Sequence, residues 1–192
     1  MSDHQHTFSR DRLVQKFGEQ PFSLVFSGQG FNWLKTLREA VAAGAGFNVN
    51  SIVERAASLT EPVADELTAA RPFGFDPVDW ASNDDDPAFD ISQAVLSVPG
   101  IFVSQLATLD TLEAQRLSLE KSAVTIGHSQ GALGGHLLKD LTQAAEILAI
   151  AELIGAAGVH AARVNGFIRN GELSPMVSVQ GVTQEQLEEA IA

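Results

Sequence analysis

Val124-Thr125-Ile126-Gly127-His128-Ser129-Gln130-Gly131 is the stretch whose reading decides the fold. A short β-branched run, Ser122 to Ile126, ends in Gly-x-Ser-x-Gly, and a helical pattern then runs from Ala132 to Leu138. Strand, tight turn and helix in that order form the layout of a nucleophile elbow. Gly127 and Gly131 remove the Cβ atoms that would clash where strand and helix converge. The Ser129 hydroxyl is then lifted into solvent, with the helix N-terminus beneath any oxyanion that forms. The implied chemistry is acyl transfer through a serine ester. Gly-x-Ser-x-Gly alone also arises by chance in a chain with 16 glycines, and the bland alternative is a glycine-rich turn before a helix. The strand before and the helix after it favour the functional reading.

Working outward, Phe22 to Phe26 reads as a buried strand that ends in Ser27-Gly28-Gln29-Gly30 and turns into a helix near Trp33 to Ala43. Residues 8–18 form a short helix closed by Gly18. Ile52, Ala56, Leu59, Val63 and Leu67 keep helical spacing, kinked or restarted at Pro62. Residues 71–90 are a long Pro- and Asp-rich connection; its run Asp84-Asp85-Asp86 lacks calcium-loop spacing and reads as a solvated loop. Residues 91–116 read as a helix interrupted near Pro99-Gly100. After the elbow come a helix from Thr142 to Gly155, a helical piece from Ala156 to Val164, and a turn-rich boundary at 165–174. Met176 to Gln180 alternates like a strand, and Thr183 with Gln186 opens a last helix as a capping box. Strands alternating with helices predict an α/β fold with a mostly parallel sheet.

The 192 residues are 45% hydrophobic, enough for a sizeable core, and contain no cysteine, which excludes disulfides and thiolate chemistry. The N-terminus has no apolar signal core, and the longest apolar stretch, Ile147 to Ala162, is broken by Glu152 and His160, so we expect neither a leader nor a membrane span. Cytoplasmic placement fits this composition. A net charge of −12 without a basic stripe disfavours nucleic acid. The same acidity opposes any anionic partner unless local cations intervene. Arg163 and Arg169 are candidates, with solvated surface charge as the plainer explanation for each.

Phe26-Ser27-Gly28-Gln29-Gly30 and Gly127-His128-Ser129-Gln130-Gly131, about a hundred residues apart, together resemble the acyl-CoA:acyl-carrier-protein transacylases. Val98-Pro99-Gly100-Ile101-Phe102-Val103-Ser104-Gln105-Leu106 resembles that family's helix before the serine strand, and Met176 to Val182 the first strand of its small subdomain. The nearest likeness is to the N-terminal acetyltransferase domain of bacterial and fungal type I fatty acid synthases. The resemblance implies an α/β-hydrolase-like parallel-sheet core over 21–172, left incomplete, after an N-terminal extension at 1–20. Residues 173–192 would begin a ferredoxin-like subdomain. Ser129 would carry the acyl group, and the backbone N–H groups of Gln130 and Gln29 would form the oxyanion hole, a loss of either costing about 10²–10³ in rate. Gly28 and Gly30 support that loop as Gly127 and Gly131 support the elbow. His128 adjoins the nucleophile and points away from it, so it takes a supporting role.

Malonyl-transferring relatives carry an arginine 25 residues after the serine, clamping the malonate carboxylate. Here that position is Ile154, between Leu153 and Gly155, and the acidic residue three after the serine is replaced by Ala132. Both departures imply a neutral acyl group, with Ile154 in the wall of an acetyl pocket; the plainer reading is a core isoleucine on a helix. A serine also needs a base within hydrogen-bond reach. His4 and His6 lie in the N-terminal tail, His136 is about 10 Å from Ser129 by helical rise, and His160 lies on a later helix. The resemblance places the catalytic histidine about a hundred residues after the serine, past Ala192.

The leading expectation is acetyl transfer from acetyl-CoA to the phosphopantetheine thiol of an acyl carrier protein, beside other domains of a type I fatty acid synthase, with neither metal nor bound cofactor. The alternatives are a serine thioesterase or esterase, a malonyl-type transacylase, and a catalytically incomplete scaffold.

Overall fold

The computed structural model describes residues 10–28, 30, 32–44, 47–83, 85, 87–115, 117, 119, 122–137, 141–164, 168–169, 172–173 and 183–191. Strand β1 (Phe22–Phe26) pairs in parallel with β2 (Ser122–Gly127), from Phe22 opposite Ser122 to Phe26 opposite Gly127, with a register irregularity after Phe22. Parallel neighbours need a crossover, and here it is almost wholly helical. The helices are α1 (Arg10–Glu19), α2 (Trp33–Ala42), α3 (Phe47–Thr60), α4 (Ala64–Ala70), α5 (Pro77–Ser82), α6 (Ala94–Ala114), α7 (Gly131–Leu137), α8 (Ala144–Val164) and α9 (Gln184–Ile191). The α/β class is as expected. The described residues form only two parallel strands, where the sequence led us to expect a wider hydrolase-like sheet.

The core centres on α6. From Val95 to Ala107 it is mostly apolar around its whole circumference and continuously buried, while its last turn, with Glu113, reaches solvent. Helices α2 and α8 pack against it, α3 and α4 pack on α8 with α3 also touching α6, and α5 packs on α2. The expected break at Pro99-Gly100 does not occur: α6 runs straight through it. Proline removes one backbone donor, but the helix is buried on both sides of it, and Gly100 beside it lets α2 come close. The Trp33 ring lies so close that a Cβ at position 100 would fall 2.5 Å from its Cδ2 and Cε2 atoms. Tertiary packing thus overrides the local helix-breaking signal.

The helical pieces expected on either side of Gly155 are one continuous α8. Gly155 brings α8 onto α6, since a Cβ there would sit 2.7 Å from the Ala94 carbonyl oxygen and 2.9 Å from the Val95 Cα. At 21 residues each, α6 and α8 are long and apolar enough to cross a membrane by length and composition alone. For α6 the apolarity is that of a core helix, with 78% of its apolar window buried.

The 71–90 connection also departs from expectation, for it contains α5. Pro77 occupies the first turn, and the Asp76 carboxylate accepts the Asp79 N–H at 3.1 Å, a combination that nucleates a short helix. Trp80 of α5 meets Phe75 and Phe89 edge to face, and Phe73 stacks on Phe89. The capping box of α9 forms as expected, with Thr183 and Gln186 exchanging bonds of 2.9 and 3.3 Å. Ile168–Arg169 and Glu172–Leu173 (β3 and β4) pair as an antiparallel hairpin inside the expected 165–174 boundary. The strand expected at Met176 to Gln180 lies outside the described residues.

Candidate acyl-transfer site

Ser129 is exposed and has φ +54°, the only non-glycine residue among those described with a positive φ. An L-residue enters that region at a cost of order 1–3 kcal/mol, and surrounding structure must hold it there. The restraint is a ladder of backbone bonds. The His128 N–H donates to Phe26 O at 3.1 Å, extending the β1–β2 pairing one residue past β2. The Gly131, Ala132 and Leu133 N–H groups then donate to the carbonyls of His128, Ser129 and Gln130 at 2.9, 3.0 and 3.1 Å. The chain leaves the strand and enters α7 within three residues, and Ser129 absorbs the bend.

Glycines make the bend possible. A Cβ on Gly127 would meet the Ala132 Cα at 2.5 Å, and one on Gly131 would collide with the Phe26 carbonyl. Gly28 brings the loop after β1 against the elbow. A Cβ there would lie 2.5 Å from the His128 carbonyl oxygen, 2.9 Å from the Ser129 Cβ and 3.4 Å from the Gln130 amide nitrogen. The two glycine motifs, about a hundred residues apart in sequence, are therefore in van der Waals contact. The Gln130 amide sits at the turn beside Gly28. Gln29, the other expected oxyanion donor, lies outside the described residues; Gly30 follows it at φ +94°, a conformation that suits glycine.

One contributor escaped the sequence reading. Gln105 is a lone amide in the apolar run of α6, 8% exposed, and its Nε2 donates to the Ser27 carbonyl at 2.7 Å. That bond fixes the peptide plane entering Gly28. The same side chain lies against α7, where a Cβ on Gly134 would strike its Oε1. The signal available in the sequence was the polar residue itself, since an amide placed among buried apolar neighbours needs a partner.

The other expected residues are placed less centrally. His128 is exposed on the turn, His136 is exposed in the last turn of α7, and His160 is exposed on α8; His4 and His6 lie outside the described residues. Ile154 is 50% exposed on α8, beside the exposed Ile150 and Leu153, so the described residues do not enclose it as the wall of a pocket. Arg163 donates to the Ala69 carbonyl at 3.2 Å, which ties α8 to α4. The Arg169 side chain lies outside the described residues. No protein-family model matches this sequence, and no curated protein matches it either.

Proposed function

We propose that Ser129 is an acyl-carrying nucleophile, and that the chain transfers an acetyl group from acetyl-CoA to the phosphopantetheine thiol of an acyl carrier protein. The observation that carries this reading is the positive φ of an exposed serine in a strand–turn–helix bend, with a second glycine loop laid against it. Strain held by surrounding bonds is characteristic of functional positions. The Ser129 Oγ attacks the thioester carbonyl, and the developing oxyanion takes the Gln130 N–H, with the Gln29 N–H as the second donor. Collapse of the tetrahedral intermediate breaks the C–S bond and releases the thiol. The acceptor thiol repeats the sequence in reverse, giving ping-pong kinetics. The proton leaving Ser129 goes to a base within hydrogen-bond reach, which the transacylase resemblance assigns to a histidine later in that family's chain.

The finer fold belongs to the same proposal: an α/β-hydrolase-like core over 21–172, an extension at 1–20, and a ferredoxin-like start over 173–192. The acetyl preference rests on Ile154 and Ala132 standing where a malonyl site would hold an arginine and an acid. Carrier domains and neighbouring synthase domains are the partners this reading requires.

Intact-mass measurement after incubation with acetyl-CoA or malonyl-CoA tests it. We expect one acetyl adduct per chain, abolished in Ser129→Ala, and little malonyl adduct. A dominant malonyl adduct would overturn the acetyl assignment. An ester lost rapidly to water, without acceptor thiol, would favour the thioesterase reading.

A further inference from the structure

We propose that Gln105 is a positioning residue for acyl transfer: a single buried side chain that sets how closely the loop after β1 approaches the elbow, and through that the rate of Ser129 acylation. This rests on the acyl-transfer reading and names what holds its second donor loop in place. The tie to the loop is the bond from Gln105 Nε2 to the Ser27 carbonyl, 2.7 Å long and closed across 78 residues of chain. Ser27 immediately precedes Gly28, where a Cβ would lie 2.9 Å from the Ser129 Cβ and 3.4 Å from the Gln130 amide nitrogen. A shift of Ser27 is therefore passed directly to the nucleophile and to the amide beside it.

Two successive carbonyls show why a side chain is needed there. The Phe26 carbonyl faces β2 and accepts the His128 N–H at 3.1 Å, whereas the Ser27 carbonyl faces α6. Among the described residues no strand pairs with β1 on that edge. What lies there is a cavity of about 190 Å³, bordered by residues 24–27 and by Ser104, Gln105, Thr108 and Leu112 of α6. The loop thus has open space behind it, and the Gln105 amide spans the gap. The hydroxyls nearby are committed to their own helix, Ser104 to the Ile101 carbonyl and Thr108 to the Ser104 carbonyl, both at 2.8 Å. The same amide also rests on the helix that carries the elbow. A Cβ on Gly134, five residues after Ser129, would strike Gln105 Oε1 and lie 2.7 Å from Phe26 Cδ1. Gln105 Oε1 itself is buried and without a hydrogen-bond partner. A buried acceptor left unpaired is destabilising, and departures of that kind concentrate where function requires them. One side chain therefore meets both elements that must come together, by a bond to the loop and by contact with α7.

Time courses of Ser129 acylation over a range of acetyl-CoA concentrations test this by separating rate from affinity. Gln105→Met keeps a long side chain but removes the donor. Its maximal rate should fall about 10²-fold, as a misplacement of about 1 Å does, while the acetyl-CoA concentration giving half that rate stays unchanged. Gln105→Glu donates to Ser27 only when protonated, so its rate should fall with rising pH beyond any fall in the wild type; at low pH it keeps the bond, and so tests the same point if Gln105→Met unfolds. Gly134→Ala should push the amide off Ser27, slowing the wild type but adding little in a Gln105→Ala background. A Gln105→Met rate within about twofold of wild type, or additive losses in the Gly134→Ala/Gln105→Ala pair, would overturn the proposal. Hydrogen exchange over residues 27–30 and 127–131 is the independent arm, and it should rise in Gln105→Met. If the wild type forms no adduct but exchange rises in the variant, the acyl-transfer reading falls and the hold of Gln105 on the loop stands. If neither is seen, both fall.

Discussion

The helical half and the strand half of this protein solve opposite problems. Around α6, every side chain from Val95 to Ala107 is buried, and the close contacts at Gly100 and Gly155 let the helices interlock. Around β1 and β2, the described residues leave Val25 69% and Ile126 52% exposed, and the order is concentrated in backbone bonds at the strand ends. The first region supplies stability. The second uses it to hold Ser129 in a conformation that an isolated serine would avoid. The comparison implies that core damage should be felt throughout the molecule, while sheet-face changes should be felt only where they reach the bend.

The largest effect should therefore come from the centre of α6. Phe102 is fully buried in the main cluster, and Phe102→Ala should cost about 3–5 kcal/mol through lost burial and the cavity left behind. Denaturant unfolding should show a lower midpoint with an unchanged slope. A loss below about 1 kcal/mol would mean that the helices carry less of the stability than their burial indicates.

A smaller effect, one that varies with pH, should come from the pair joining α4 to α8. Arg71 Nη2 meets Glu152 Oε2 at 2.6 Å, with the Glu152 side chain only 3% exposed, and the Arg71 guanidinium also lies 4.9 Å from the centre of the Phe75 ring. Burial pushes the Glu152 carboxyl above its ordinary value of 4.5, and the attraction of Arg71 only partly opposes this. The folded state thus holds that proton more tightly than the unfolded chain does. The resulting stabilisation is complete below pH 4.5 and is lost as pH rises through the raised value. Glu152→Gln mimics the protonated form. Its stability relative to the wild type should therefore improve from pH 4.5 toward neutrality, as read by thermal unfolding at matched ionic strength. A difference that does not vary with pH would show that Glu152 is not the group responsible.

The same contrast explains what the sequence disclosed. The bounds of β1 were legible to the residue and those of β2 to within one, because their apolar runs end at glycine turns, but both were expected to be buried and the described residues leave Val25, Val124 and Ile126 exposed. The bend at Ser129 was legible for the same reason, since Gly127 and Gly131 report the local approach of strand to helix. The continuity of α6 was not legible. Pro99-Gly100 is a local stop signal, and the helices that bury α6 across it, α2 and α8, are remote in sequence. Gln105 was hidden likewise, because its partner is the Ser27 carbonyl, 78 residues away. The 71–90 stretch misled through composition: proline and aspartate there cap α5, and the aromatic residues that hold it are spread across the segment.

The smallest effect should separate the two regions most sharply. Ile126 lies on β2 two residues before His128, with its side chain half in solvent. Ile126→Thr keeps a β-branched side chain, so strand propensity changes little. Because the replaced atoms are already largely hydrated, the transfer term is small, and surface substitutions away from special features usually fall within about 0.5 kcal/mol. Unfolding midpoints should barely move, and the Ser129 adduct should form at the wild-type rate, because the bonds holding the bend are backbone bonds that the substitution leaves in place. A loss above about 1 kcal/mol would mean that the face carrying Val25 and Ile126 is covered in solution. The sheet would then belong to a larger packed layer, and the division of labour between helices and strands would have to be redrawn.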